Sequence, residues 1–219
     1  MEFRQCKNER CQLRFPSEAA EMVGNACPRC GCVTTPIDSK QGSENSQRER
    51  GQVADRKIVA ILDNIRSAYN VGSVIRTADG AGLSHLYFCG ITPPQDHPRI
   101  AKTALGSERV VDITHHPNGY LLAEELKASG FYLIALESAP KAISVFDPNL
   151  VLPDQTLALI IGNEISGIDP GILDLCQVIV DLPMMGVKQS LNVVVAFGIA
   201  VYHLRYRLSN IQKANYKDK

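Results

Sequence analysis

Apolar and polar positions divide the chain into stretches of different character. From Lys57 onward, short runs rich in Val, Ile and Leu alternate with segments whose apolar residues recur every three or four positions. The runs predict strands at 58–62, 85–89, 110–113, 132–136, 157–161 and 178–182, and the periodic segments predict helices at 71–81, 100–105, 119–129, 170–176 and 191–208. Continuous apolar strands separated by helices imply an α/β fold, a mainly parallel sheet with helices on both faces. Residues 34–55 are polar, with almost nothing to bury, and read as a flexible linker. The expected organisation is a module at 1–33, the linker, a main domain at 56–212 and a basic tail at 213–219. A chain of 219 residues can bury one good core and still carry a small appendage.

Five of the seven cysteines lie between residues 6 and 32, as Cys6-x4-Cys11, fifteen intervening residues, then Cys27-Pro-Arg-Cys30-Gly-Cys32. In a reducing compartment such clustering points to metal rather than disulfides. A Cys-Pro-x-Cys-Gly turn presents two thiolates to one tetrahedral ion, so Cys6, Cys11, Cys27 and Cys30 are the expected ligands of a structural zinc, with Cys32 surplus. The alternative is a redox-active or merely clustered set of thiols. A catalytic zinc is disfavoured, because no His or Glu stands at ligand spacing here.

The formal charge is zero but uneven. Residues 57–202 hold 9 Lys or Arg against 14 Asp or Glu, whereas 203–219 hold 5 against 1. Affinity for a phosphate backbone depends on cationic contacts, so any nucleic-acid contact has to come from local patches. Arg205, Arg207, Lys213, Lys217 and Lys219 form one candidate, the alternative being a solvated helix end. No apolar run reaches the length of a membrane span, and Met1-Glu-Phe-Arg lacks a signal-peptide core, so a soluble cytoplasmic protein is expected.

The expected strand ends carry the candidate chemistry. No Gly-x-Gly-x-x-Gly follows the first strand, which argues against a dinucleotide site. Gly162-x4-Gly167 runs into Ile168-Asp169 rather than Lys-Ser or Lys-Thr, which removes a P-loop. What remains is Asn70-Val-Gly-Ser-Val-Ile-Arg76-Thr-Ala-Asp, Gly162-Asn163-Glu164-Ile-Ser-Gly167-Ile, and Asp181-Leu-Pro-Met-Met-Gly-Val-Lys-Gln-Ser190-Leu191-Asn192. Each places Gly and short polar groups beside an apolar run, where open α/β sheets bind ligands. Asn70 reads as the N-cap of the first helix and Ser190 as that of the last. Arg76 in an apolar helix asks for an anion or carboxylate, the alternative to a functional role being a structural ion pair with Glu164. The five histidines have no nucleophile around them and read as surface or packing residues.

In this order, over roughly residues 57–210, the three segments resemble the three motifs of the SpoU (TrmH-like) RNA 2′-O-methyltransferases of the SPOUT superfamily. The resemblance implies a C-terminal trefoil knot, S-adenosylmethionine as cofactor, a tRNA or rRNA substrate, and a homodimer with the last helix at its interface and the RNA site shared between subunits. It implies catalytic or supporting roles for Arg76, Asn70, Glu164, Ser190 and Asn192, and cofactor-binding roles for Gly162, Leu182 and Leu191. Met184 and Gly186 complete an apolar slot for adenine. Val194 departs from the pattern, standing where many relatives carry Ser or Thr. A guanidinium stays protonated, so the safer role for Arg76 is to hold the target phosphate and stabilise a developing alkoxide.

The apolar run from Val193 to Tyr202 exceeds what one core-facing stripe needs, and places Phe197 and Val201 in either the core or the interface. Two rivals remain: a non-catalytic zinc-containing RNA-binding protein on a SPOUT scaffold, and a nucleotide-binding α/β enzyme of another class. DNA and membranes are not expected partners.

Overall fold

The computed structural model describes residues 2–17, 25–37 and 58–217. They fall into two compact units, one within residues 1–51 and one within 52–219. The first is a three-stranded antiparallel sheet of β1 (Glu2–Cys6), β2 (Arg14–Ser17) and β3 (Thr34–Ile37), with β1 in the centre. β3 carries the module four residues into the stretch expected to be linker at 34–55. Its polar Thr-Thr-Pro hides a strand because Thr34 is buried against Arg4, whose Nε donates to Thr34 Oγ1 at 2.9 Å while its Nη2 donates to Asn25 Oδ1 at 2.8 Å. The rest of the expected linker, 38–55, lies outside the described residues.

The second unit contains β4 (Ile58–Asp63), α1 (Ala68–Ala81), β5 (His85–Cys89), α2 (Pro98–Ala104), β6 (Asp112–His116), α3 (Gly119–Ala128), β7 (Tyr132–Leu136), β8 (Ile143–Ser144), β9 (Leu157–Ile161), α4 (Pro170–Leu175), β10 (Val178–Asp181) and α5 (Val193–Lys217). The seven strands form one parallel sheet in the order β6-β5-β4-β9-β7-β10-β8. Strand alternation divides its burial between two layers. Ile58, Ala60 and Leu62 of β4 pack with Val71, Ile75, Phe197 and Val201 from α1 and α5, while Val59 and Ile61 pack with Leu122, Leu126 and Ile172 from α3 and α4. Both faces are therefore covered, which is why these strands read as continuous apolar runs.

β10 enters the sheet between β7 and β8, two strands adjacent in sequence. From the helix that follows, Arg207 donates to the carbonyls of Asp147, Pro148 and Leu150 in the connection after β8. This order, with the last strand inserted between two strands that precede it, is compatible with the implied trefoil knot.

Three of the expected elements depart by more than two residues at one end, for identifiable reasons. β6 runs 112–116 rather than 110–113, because an edge strand paired only with β5 need not be apolar and Val110 belongs to the turn before it. α1 begins three residues early, capped by Ser67, whose Oγ accepts from the N–H of Asn70 at 3.3 Å. α5 begins at Val193 and runs to Lys217, so residues 213–217 of the expected tail are helical.

The basic cluster proposed at that end is also different. Arg205 Nε donates to Ala81 O at 3.0 Å and its Nη2 to Gly82 O at 2.7 Å, closing the carboxyl end of α1. Arg207 is likewise engaged by main-chain carbonyls, so both side chains hold the fold together. Among the described residues no helix is long and apolar enough to cross a membrane.

Because Arg205 makes charge-assisted bonds to orphan carbonyls at a helix end, Arg205→Ala should lower stability by about 2 kcal/mol. Urea denaturation of the full chain measures this. An unchanged midpoint would return Arg205 to the residues free to contact phosphate.

Candidate active site

The carboxyl edge of the sheet is where β7, β9 and β10 release their chains, into Glu137 after β7, Gly162-Asn163-Glu164 after β9, and Leu182 with the largely exposed segment 183–192 after Asp181 of β10. Between them lies a cleft of about 320 Å³, the lower end of the range for small-molecule sites. Its walls include Leu136, Ile161, Leu182, Met184, Leu191 and Ala196, with Gln189, Ser190 and Asn192 at the start of α5. Among the described residues, three carboxylates, Glu137, Glu164 and Asp181, line it, and no Lys, Arg or His does. Such a cleft favours a cationic ligand and disfavours a polyphosphate.

The loop after β9 is a stapled turn. Asn163 and Gly167 exchange main-chain bonds at 3.0 and 2.9 Å, and Asn163 Oδ1 accepts from the amides of Ile165 and Ser166. Asn163 Nδ2 reaches back to Asn64 O at 2.8 Å. Glu137 Oε2 accepts from Ile168 N at 3.1 Å, and the buried Asp63 accepts from Asp169 N at 3.2 Å. Gly162 lies so close to Gly167 and Ile168 that a Cβ there would collide with their backbone. The glycine is required because the turn folds directly over it.

This turn aims Glu164 at the start of α1. Its two oxygens accept from Arg66 N at 2.9 Å, Ser67 N at 3.1 Å and Asn70 Nδ2 at 2.9 Å. Partial burial pushes the carboxyl's pKa up, but the donors from Arg66, Asn70 and Ser67 together outweigh it and leave the pKa below its ordinary value. Glu164 therefore pairs with helix-start amides and not with Arg76. Asn70 also approaches Asn192, whose Nδ2 lies 3.5 Å from Asn70 Oδ1. Asn192 caps α5, accepting from Val194 N at 2.9 Å. The cap expected at Ser190 belongs to Asn192, because the helix starts two residues later than expected.

Of the expected site residues, Gly162, Glu164, Leu182, Met184, Ser190, Leu191 and Asn192 line the cleft, and Asn70 touches it through Glu164. Gly186 is not among the lining residues; it sits on the exposed loop with nothing within 4 Å of where its Cβ would be. Arg76 is elsewhere. It is exposed, six residues along α1 from Asn70, or about 9 Å along the axis, in a second depression with Ser73, Thr77, Gly80, Lys102, Thr103 and Tyr202. Among the described residues it makes no hydrogen bond or ion pair.

Glu137, Asn163, Asp63 and Lys102 were not singled out from the sequence. The first and third had a usable signal, since each is a carboxylate directly after an apolar strand run.

In the amino-terminal unit the sulfur atoms of Cys6, Cys11, Cys27 and Cys30 all lie within 4.8 Å of one another. Tetrahedral zinc with sulfur at about 2.3 Å fits that spacing. The N–H of Cys32 holds the Cys30 thiol down to about 6, so one ligand ionises readily, whereas burial pushes Cys6 up to about 12.

Residues 57–202 match the SpoU rRNA Methylase family. The chain is 29% identical over 148 residues to a tRNA (guanosine(18)-2′-O)-methyltransferase of Borreliella burgdorferi, a match covering 68% of this chain and 66% of that protein. It is 32% identical over 157 residues to the 23S rRNA (guanosine(2553)-2′-O)-methyltransferase RlmP of Bacillus subtilis, covering 70% of this chain and 60% of that one. A crystal structure of an AdoMet-bound rRNA methyltransferase from Sinorhizobium meliloti shares the fold with a TM-score of 0.65 at 24% identity, over 69% of this chain and 57% of that one. The chain thus spans about two thirds or less of these proteins.

The pH dependence of the Glu164 cap follows from its lowered pKa. The stabilisation it gives is fully present above the ordinary value of 4.5 and is lost as pH falls through the lower folded value. Glu164→Gln should therefore be less stable than wild type at neutral pH and converge with it in strong acid. Denaturant midpoints across that range measure the gap, and a gap independent of pH would contradict the cap.

Proposed function

Since the chain belongs to the SpoU rRNA methylase family, we propose that it transfers a methyl group from S-adenosylmethionine to a ribose 2′-hydroxyl of tRNA or rRNA. The observation that carries this reading is the lining of the cleft: apolar walls with three carboxylates and, among the described residues, no cation. S-adenosylmethionine bears a net positive charge and an apolar-faced adenine, so it suits that lining where ATP or NAD does not. Gly162, Leu182, Met184 and Leu191 would hold it. When bound it supplies a methyl group on a positively charged sulfur, open to in-line attack by the ribose oxygen.

The protein's own contribution is positioning and charge. Arg76 and Lys102 share one depression, and two cations side by side suit the phosphate next to the target nucleotide. Arg76 then stabilises negative charge developing on the ribose oxygen as its proton passes to solvent water. The 2′-hydroxyl accounts for RNA over DNA. The non-catalytic alternative is disfavoured, because an RNA-binding scaffold has no use for a carboxylate-lined cleft. A cytoplasmic location and a structural zinc on Cys6, Cys11, Cys27 and Cys30 complete the reading.

We infer a homodimer as well. Val195, Ile199, Tyr202 and Tyr206 are all exposed and recur every three or four residues along α5. This apolar stripe belongs to an interface rather than to solvent. Tyr202 also lines the Arg76 depression, so pairing along the stripe lets Arg76 of one subunit serve the cleft of its partner. Phe197 and Val201, by contrast, are wholly buried within the domain.

With tritiated S-adenosylmethionine and bulk tRNA or rRNA, wild type should label RNA at ribose 2′-oxygens. Arg76→Ala should lose at least a hundredfold in turnover while its cofactor affinity stays within a few-fold, and turnover near wild type would remove Arg76 from the mechanism. Ile199→Asp should yield a folded, inactive monomer by sedimentation, whereas Phe197→Asp should unfold the domain. A wild-type monomer that methylates RNA would contradict the shared site.

A further inference from the structure

We propose that the face shared by α1 and α2 is the track of the RNA strand beside its target nucleotide, with a neighbouring unpaired base stacked on Tyr69 and Arg99 and with phosphates held by Arg66 and by the Arg76–Lys102 pair. The inference rests on the methyltransferase reading above and names the RNA segment that the enzyme grips outside the reacting ribose.

Tyr69, Ser73 and Arg76 follow one another at intervals of four and three residues along α1 and so share one face of it. α2 lies directly against this helix because Gly72 has no side chain, and a Cβ there would collide with Thr103 Oγ1 and Ile100 O. Thr103 Oγ1 in turn donates to Tyr69 O at 3.0 Å. The close approach brings Arg99 and Lys102 of α2 to the same face. Arg99 Cζ lies 6.0 Å from the centre of the Tyr69 ring, at the outer edge of cation–π reach, and the tyrosine stays 46% exposed. Lys102 shares the depression of Ser73 and Arg76. From Tyr69 to Arg76 is about 10 Å along the helix axis, roughly three stacked nucleotide steps of about 3.4 Å each. At the other end stands Arg66, whose N–H is held by Glu164 at 2.9 Å on the edge of the cleft. The row therefore runs from the cleft to the depression.

Cations gather on this face in a domain that is otherwise acidic. Residues 64–110 hold five of the nine Lys or Arg found in residues 57–202, but only three of the fourteen carboxylates. Of those three, Asp79 accepts from Ser107 Oγ and Glu108 from the N–H of Gly106, each at 2.9 Å, and Asp96 lies in the turn before α2. The fold makes no use of the cations. Among the described residues the side chains of Arg66, Arg76, Arg99 and Lys102 are exposed and, apart from the Arg99 contact with Tyr69, have no hydrogen bond or ion pair, and the Tyr69 hydroxyl has no hydrogen bond either. Arg205 and Arg207, by contrast, are committed to main-chain carbonyls. Four cations without an internal partner suit a polyanion, and a half-exposed ring among them suits one that carries bases. Stacking on the ring requires a base that is out of a duplex, so the nucleotide beside the target is unpaired.

The test uses the full chain and a fluorescein-labelled, unpaired RNA oligonucleotide of about 12 nucleotides, beside an abasic strand of the same length. Tyr69→Ala should weaken binding of the base-bearing strand about tenfold, and Tyr69→Phe should hold it within about twofold. Tyr69→Ala should leave the log–log salt slope as it is, whereas Arg66→Ala and Arg99→Ala should each weaken binding and reduce the magnitude of that slope by about 0.7. The abasic strand should bind more weakly than the base-bearing one and should not distinguish Tyr69→Ala from wild type. S-adenosylmethionine affinity should stay within a few-fold of wild type in all four variants, which shows that they fold. Wild type that does not bind the oligonucleotide, folded Tyr69→Ala and Arg99→Ala variants that bind it as wild type does, or an abasic strand that binds as tightly as the base-bearing one would overturn the track. Wild type that methylates RNA while its binding ignores Tyr69 contradicts the track alone. Binding that depends on Tyr69 in a protein that methylates no RNA supports the track and contradicts the methyltransferase reading alone.

Discussion

The site is held together by one carboxylate. Glu164 accepts from the amides of Arg66 and Ser67 and from the side chain of Asn70, and so ties the loop after β9 to the first turn of α1. These residues are nearly a hundred positions apart in sequence, and the cleft exists only because they meet. Glu164 is itself aimed by neighbours with no direct part in chemistry: Asn163 staples the turn, Glu137 and Asp63 take its trailing amides, and Gly162 lets it fold back on the strand. A carboxylate satisfied by several N–H donors stays ionised, which serves both as a helix cap and as one wall of a site for a cation.

Charge then divides the molecule by task. The cleft carries Glu137, Glu164 and Asp181, whereas the α1–α2 depression carries Arg76 and Lys102. Keeping them apart stops the cations from neutralising the cleft and leaves them available to an anionic substrate. The same separation means that one chain does not bring Arg76 to its own cleft. In the dimer proposed above, the exposed apolar stripe on α5, whose Tyr202 lines the Arg76 depression, would let a second copy complete the site.

Where the sequence was legible, one force dominated. Strands 85–89, 132–136 and 157–161 coincide with the expected runs, because residues buried on both faces of a parallel sheet are almost uniformly apolar. Caps were harder to read. Asn70 and Ser190 are good capping residues, but Ser67 and Asn192 hold those positions, and Asn70 is recruited by a residue ninety-four positions away. Arg205 and Arg207 looked like solvent-facing cations because nothing local reveals that α1 ends beside one and the loop after β8 wraps the other. The separation of Arg76 from the cleft was hidden in the same way: three motifs adjacent in a family pattern do not specify which surface each side chain faces.

The central claim is that the cleft between the loops after β7, β9 and β10 is built for a cationic cofactor. Isothermal titration of the purified protein with S-adenosylmethionine, ATP and NAD in turn tests it most directly. The account predicts saturable binding of S-adenosylmethionine at one site per chain and none of the two anionic nucleotides. Saturable binding of ATP or NAD, or no binding of S-adenosylmethionine, would contradict it.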